Sequence, residues 1–479
     1  MDNSAIHKSV KRQKSFKDFC VYFDPAVSSF DEDETFVGVK IRKADEQDSF
    51  EPRIYFPRGY RPDHDDSEVE KLDAELKSDF LRLISIINDV SLQNRFPDNE
   101  KSDLKTGFPI KAFFSIVQYY LDYGYFAETE TVYKKGWSGK ISWSRTIKRI
   151  KPQVVKDEDD NHSVVYLNLI TRRTNYKQDS LITLIHKFCV YEAARLIGPF
   201  LGVIEDEFDS PELDFDYELF VEVLKDKIAS TFNDKFLELF HSLLTVVDFF
   251  ENKETLVNDD SEICFGFKKF DHAWEGMIDS IFGNVSDKTK YNPHLKFIAM
   301  NSKSVEGKII DYDDDKGDGR RSTLRPDTIM KLGDSVFILD SKYYKFGVKN
   351  ETRYLPGAES VCKQMAYAEY VENHMGIKAD KNFNAFIIPY YAKSNVLPFG
   401  MENKGFIYGE WKVISKKDDT EKQNICEKRP YHYIACVCLD MKSVMRNYRR
   451  NEIAQFRLAE VVRSGAESIL EYATKEINA

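Results

Sequence analysis

Apolar residues recur at helical spacing in several long stretches of this chain. In 68–90, Val69, Leu72, Leu76, Phe80, Leu83 and Ile86–Ile87 form one stripe, and Ser67 stands where an N-cap belongs. The segment 108–123 reads as a second helix, closed by Gly124. Further helices are expected at 181–196, 219–252, 270–282, 440–447 and 464–477. In 270–282 the apolar set is Phe270, Trp274, Met277, Ile278, Ile281 and Phe282, with Glu275 beside it. Short apolar or alternating runs predict strands at 36–41, 54–56, 164–171, 383–391, 405–413 and 433–439. In 130–147, Gly136 and Gly139 suggest a turn between extended segments. The stretch 61–67 reads as a loop, 203–218 as an acidic connection, and 258–262 as a polar boundary. Neither an internal repeat nor a low-complexity tract interrupts the pattern.

This alternation of helices and strands points to an α/β (α+β) chain. Its C-terminal part would be a mixed sheet flanked by helices, preceded by a mixed α+β region. A length of 479 residues suits two or three domains of about 100–200 residues each. The divisions expected are 1–104, of unclear role; 105–262, carrying a DNA or partner surface; and 263–479, carrying the chemistry. No apolar run is long enough for a membrane span, and the N-terminus lacks the apolar core of a signal peptide. Seven cysteines, an odd count without a C-x-x-C pair, suggest reduced thiols and a cytoplasmic protein. Cys436 and Cys438 alternate within an apolar strand and are expected to be buried.

A net charge of −11 argues against non-specific DNA binding by the whole surface. The charge is uneven, however. From Thr131 to Lys156 there is no acidic residue, and there are eight basic ones. Lys134, Lys135, Lys140, Arg145, Lys148 and Arg149 interleave with Tyr133, Trp137 and Trp143, as phosphate-neutralising and stacking residues would. A solvated loop with core tryptophans is the competing reading. Between Glu205 and Glu218 the balance reverses, with eight carboxylates.

The densest chemistry lies at 325–342. Arg325-Pro326-Asp327 precedes a strand, a Gly333-Asp334 turn, and an apolar strand ending in Asp340-Ser341-Lys342. Such a hairpin would bring Asp327 and Asp340 together, with Lys342 on the same face as Asp340. Two carboxylates and an ammonium suit a divalent metal that activates water against a phosphodiester. Asp334, at the turn, and the run 311–315, read as a loop, are rival carboxylates.

The pattern resembles the PD-(D/E)xK nuclease superfamily, with Pro326-Asp327 as its first half and Asp340-x-Lys342 as its second. That resemblance implies Mg²⁺ (or Mn²⁺) held by Asp327 and Asp340, with Glu275 as a further ligand, and Lys342 at the attacking water and scissile phosphate. It also implies that Gln364, with Tyr367 on the same helix face, positions DNA and the second acidic pair. The stretch Gly139-Lys-Ile-Ser-Trp-Ser-Arg-Thr-Ile147, the later helix from Leu181, and Asp340-Ser-Lys-Tyr-Tyr344 are together similar to the LlaJI family of restriction endonucleases, over roughly 105–450. Membership would imply a McrC-like DNA-cleaving subunit of a bacterial restriction system, active in antiphage defence on double-stranded DNA. Such subunits work beside a McrB-like AAA+ GTPase. No G-x-x-x-x-G-K-[ST] motif occurs in this chain, so nucleotide hydrolysis would come from that partner. Two other readings remain: a repair or recombination nuclease acting on DNA ends, and a DNA- or partner-binding module with a decayed nuclease core.

Overall fold

The computed structural model describes residues 15–22, 35–43, 50–96, 98–156, 162–177, 179–201, 208, 211, 213–252, 262–293, 296–301, 304–311, 324–392, 398–408 and 429–477. From the N-terminus these form strands β1 (Cys20–Val21), β2 (Val37–Lys43) and β3 (Phe50–Tyr55), helices α1 (Val69–Ile87) and α2 (Val90–Gln93), and strand β4 (Leu104–Lys105). Helix α3 (Ile110–Tyr123) leads to β5 (Glu128–Lys135), β6 (Lys140–Ile141), α4 (Trp143–Arg149), β7 (Gln153–Lys156), β8 (His162–Val165) and β9 (Ile170–Lys177). Three helices follow: α5 (Leu181–Leu201), α6 (Tyr217–Ser230) and α7 (Asp234–Glu251). Then come β10 (Glu262–Phe267), α8 (Asp271–Phe282), β11 (Lys296–Asn301), β12 (Ser304–Asp311), β13 (Thr328–Leu332), β14 (Ser335–Ser341) and α9 (Phe346–Lys349). The chain closes with α10 (Ala358–Met375), β15 (Asn382–Tyr390), β16 (Glu402–Ile407), β17 (Ile434–Asp440), α11 (Met441–Arg446) and α12 (Glu452–Ile477).

Two compact units result. One is built from Met1–Lys40, Arg53–Thr106 and Cys264–Ala479; the other from Ile41–Pro52 and Gly107–Ile263. The breaks after Thr106 and Ile263 lie two residues or fewer from the divisions read in the sequence. What differs is that most of the first hundred residues pack with the C-terminal part instead of standing apart.

The first unit holds the five-stranded mixed sheet β13-β14-β15-β17-β16. β13 and β14 are antiparallel, β14, β15 and β17 run parallel, and β16 returns antiparallel. Every residue of β15 and β17 is buried. These are the near-continuous apolar runs expected of parallel strands covered on both faces. On one face Ile338, Phe386 and Cys436 pack with Met365, Ala368 and Val371 of α10. α8 and α12 also pack against this sheet. Trp274 of α8 is fully buried, and its indole N–H donates to the Ile387 carbonyl at 3.2 Å. A second sheet has the order β1-β3-β2-β10-β4. Gly38 of β2 (φ +144°) and Gly266 of β10 (φ +153°) let two backbones approach closely there. A Cβ on Gly38 would overlap the Phe265 carbonyl, and one on Gly266 the Val37 carbonyl.

The second unit packs α3, α5, α6 and α7 together and carries the antiparallel sheet β5-β9-β6 and the hairpin β7-β8. Phe108, Phe113 and Phe249 form an aromatic cluster inside it.

Several elements depart from the sequence reading. Ser67 does not cap α1: it lies inside a 3₁₀ turn, where its N–H donates to Asp65 at 2.9 Å. The expected helix 219–252 breaks after Ser230, because the Asn233 side chain accepts from the Phe236 N–H and starts α7 afresh. The expected strand 164–171 divides, so that β8 pairs with β7 and β9 with β5. The apolar pattern does not announce α2, α4 or α9, which at one or two turns each are too short to show a period. The last helix starts at Glu452, before 464. Asp311 ends a strand, whereas 312–315 lie outside the described residues, as do 409–413 and much of 203–212. Among the described residues Cys20, Cys189, Cys362, Cys436 and Cys438 form no disulfide, and Cys436 and Cys438 are buried. Among the described residues, no helix is long and apolar enough to cross a membrane.

Candidate active site

The hairpin β13–β14 sets the site. Leu332 pairs with Ser335, leaving Gly333-Asp334 as a two-residue loop, and Gly333 takes φ +59°, as the first position of a type II′ turn requires. Register runs from there to Thr328 opposite Leu339. The next pair outward is Asp327 and Asp340. Asp327 Oδ2 accepts the Ser341 N–H at 2.8 Å, and its carbonyl accepts from Lys288 Nζ at 2.6 Å. Lys342 leaves the strand with its N–H on the Ile387 carbonyl at 2.9 Å, and its Nζ stands 2.8 Å from Asp340 Oδ2.

The electrostatics follow from crowding these groups under cover. Burial, then the neighbouring charges of Asp340 and Glu275, push the Asp327 carboxyl well above the usual carboxylate range. Burial also raises Asp340, against the opposing pull of Lys342. For Lys342, burial disfavours the ammonium, but Asp340 and Asp327 outweigh it and leave its pKa above the ordinary lysine value. The Lys342 ammonium is the partner of Asp340 Oδ2, which is otherwise buried without a donor. Two buried carboxyls thus share a single ammonium, an arrangement that an added cation would relieve.

Glu275 sits on α8, close enough to act on both aspartates. Its carboxylate lies 3.5 Å from His272 Nδ1, one turn back, and His272 Nε2 lies 3.2 Å from Glu100. The hydrogen bond to Glu275, partly offset by burial, helps raise the His272 pKa to about 9. No three His, Cys, Asp or Glu side chains among the described residues converge as a ready-made metal cage. Gln364 on α10 is wholly buried, and neither its Oε1 nor its Nε2 has a hydrogen-bond partner. Tyr367, one turn on, donates its hydroxyl to the Arg325 carbonyl at 3.0 Å. Burial, Asp340 and Asp327 raise its pKa, so it borders the acidic pair.

Asp327, Asp340, Lys342 and Glu275 are thus brought together, with Tyr367 at the margin. Lys288 and His272 join them without having been singled out. His272 had a signal, its i, i+3 spacing to Glu275; Lys288 had none, because its contact with Asp327 is tertiary.

The basic island belongs to the second unit. Lys134 and Lys135 lie on β5, Lys140 on β6, and Arg145, Lys148 and Arg149 on α4, all exposed. Arg145 stacks over Tyr133 at 3.8 Å. Arg172 of β9 stands opposite both Tyr133 and Lys140, which adds a cation between the two strands. Trp137 and Trp143 are exposed, not core residues.

The curated comparison matches the "Type II restriction enzyme BsuMI component YdjA" of Bacillus subtilis (strain 168), 27% identical over 297 residues. That alignment spans 59% of this chain and 59% of the relative's length. A model of the LlaJI restriction endonuclease family matches residues 54–416, beginning before the expected 105 and taking in both the acidic pair and the basic island. With most of its length matched, the chain belongs to the LlaJI restriction endonuclease family.

Proposed function

We infer that this chain is the DNA-cleaving subunit of a bacterial restriction system, hydrolysing phosphodiester bonds with Mg²⁺ or Mn²⁺. The observation that carries this reading is the interacting pair of buried carboxyls, Asp327 and Asp340, just beyond the hairpin's last strand pair, with Lys342 Nζ 2.8 Å from Asp340, in a chain of a restriction endonuclease family. The donor set fits Mg²⁺, which takes one or two carboxylates and completes its shell with water and phosphate oxygens. Asp327 and Asp340 would hold the ion, and Glu275, fixed by His272, would orient water beside it. When bound, the metal supplies an acidified water and neutralises charge on the phosphate.

Lys342 keeps its proton in this surrounding, so it acts as a cation towards a phosphate oxygen, not as a base. Ser341 N–H holds Asp327 in place. The exposed cations of β5, β6 and α4 bind DNA backbone. A McrB-like AAA+ GTPase subunit would supply nucleotide hydrolysis, since this chain has no phosphate-binding loop motif.

The test is cleavage of supercoiled plasmid by wild type, Asp340→Ala and Lys342→Ala, with Mg²⁺ or Mn²⁺, and with or without the GTPase subunit and GTP. Cutting by wild type alone supports the reading. Equal cutting by the variants removes the site from the mechanism. Cutting confined to linear ends would favour a repair nuclease, and folded protein that binds metal nowhere would favour a decayed binding module.

A further inference from the structure

A second polar cavity lies in the first unit, away from the acidic pair. Its volume is about 670 Å³, and its walls come from α1, α8 and the segment joining α11 to α12. Four arginines line it, Arg82, Arg446, Arg449 and Arg450, against one carboxylate, Asp89. That carboxylate is already engaged: it accepts from the Ser91 N–H at 2.9 Å, from the Ser91 hydroxyl at 2.6 Å, and from the Tyr448 hydroxyl at 2.8 Å. Arg446 is fixed on Asp79 through two contacts of 3.2 and 3.3 Å, and Arg82 donates to the Arg446 carbonyl at 3.3 Å. Arg449 and Arg450 are exposed and make no ion pair among the described residues. The chain thus holds two guanidinium groups at a cavity whose acidic wall is spent. An arrangement of this kind recruits an outside anion.

We propose that this cavity is a second phosphate-binding site, which grips the backbone of the DNA substrate outside the catalytic centre. The proposal rests on the nuclease reading above and adds a contact that reading does not use. The lining favours a polymer backbone over a free nucleotide. Its ring, Tyr448, is tied to Asp89 by its hydroxyl, the Ser85 and Ser280 hydroxyls donate to carbonyls of their own helices, and apart from Asn447 the donors left are guanidinium groups, whose fork matches phosphate oxygens. The site is separate from the acidic pair: Ser280, which lines it, and Glu275 share α8 but lie five residues apart, roughly 140° around the helix. One duplex would therefore meet the protein at two places.

The experiment measures binding of a fluorescent duplex of arbitrary sequence to the full chain across a series of salt concentrations. It compares wild type, Arg449→Ala/Arg450→Ala and Arg449→Lys/Arg450→Lys. Loss of two phosphate contacts should weaken binding to every sequence and flatten the salt dependence by about two ion equivalents. The lysine pair should keep the wild-type slope, and all three proteins should cleave through the same metal centre. An unchanged slope in the alanine pair, while wild type cuts plasmid, overturns this site and leaves the nuclease reading standing. A wild type that binds no duplex at any salt overturns both. A parallel titration with GTP and with inorganic pyrophosphate separates the sources: binding of either that is lost in the alanine pair, with duplex binding unaltered, overturns the backbone assignment.

Discussion

Acid should loosen the second unit of this protein through a single histidine. His186 of α5 is fully buried; its Nδ1 accepts the Phe126 N–H at 2.9 Å, and Tyr119 and Tyr125 pack edge-on against the ring. The Ile116 backbone beside the ring favours the imidazolium, but burial outweighs it. Burial disfavours the imidazolium and lowers the pKa from 6.5 to about 4. The folded state therefore holds the neutral ring while the unfolded chain takes up a proton below pH 6.5. The stabilisation is complete above 6.5 and is lost as pH falls from there through about 4. A difference of about 2.5 units at ~1.36 kcal/mol each gives about 3 kcal/mol in all, of which roughly 2 kcal/mol is gone by about pH 5. The assay is hydrogen exchange of α3 and α5 at pH 7.5 and 5, corrected for intrinsic exchange rates, in wild type and His186→Gln. Glutamine can accept the Phe126 N–H but does not titrate, so the variant should lose less protection on acidification. If both proteins lose protection equally, His186 is not the group responsible.

Four further outcomes are expected. Lys342→Ala should lower cleavage by about 10²-fold or more, as removal of a preorganised charge-stabilising group does, with duplex affinity nearly unchanged; a plasmid time course and an anisotropy titration check this. Asp340→Asn should abolish cleavage yet raise the melting temperature, because burial holds this carboxyl above its ordinary pKa and its ionised form costs stability near neutral pH; a lower melting temperature would contradict it. Gly38→Ala should destabilise by several kcal/mol, about the upper range for a point change, since its Cβ would overlap the Phe265 carbonyl; urea denaturation reads it. Lys140→Ala/Arg145→Ala/Arg149→Ala should weaken duplex binding and spare assembly with the proposed GTPase subunit, whereas the opposite result would make the island a protein interface.

The hairpin was legible because a two-residue turn and the alternation of a strand fix register locally: once Gly333-Asp334 is read as the loop, Asp327 must meet Asp340. Helix α8 was legible for the same reason, through its apolar period. What the sequence hides is tertiary. Lys288 reaches the Asp327 carbonyl from 39 residues away with no spacing to announce it. The break at 231–233 is decided by one capping asparagine within an otherwise unbroken apolar period. Trp137 and Trp143 read equally well as core or surface, and only the fold exposes them.

The discontinuous first unit also shapes the order in which the protein is made. On α1, Glu75 pairs with Lys442, and Asp79 pairs with Arg446, partners 367 residues further along. When α1 leaves the ribosome, Leu72, Leu76, Phe80 and Leu83 have no finished core to enter. The segment Gly107–Ile263, by contrast, is complete apart from the earlier Ile41–Pro52 and can settle while synthesis continues. The acidic pair comes next, and α11 almost last. The unit that holds the acidic pair cannot close until nearly the whole polypeptide exists, so a prematurely ended product would leave it unassembled and its early helix waiting for a partner that never arrives.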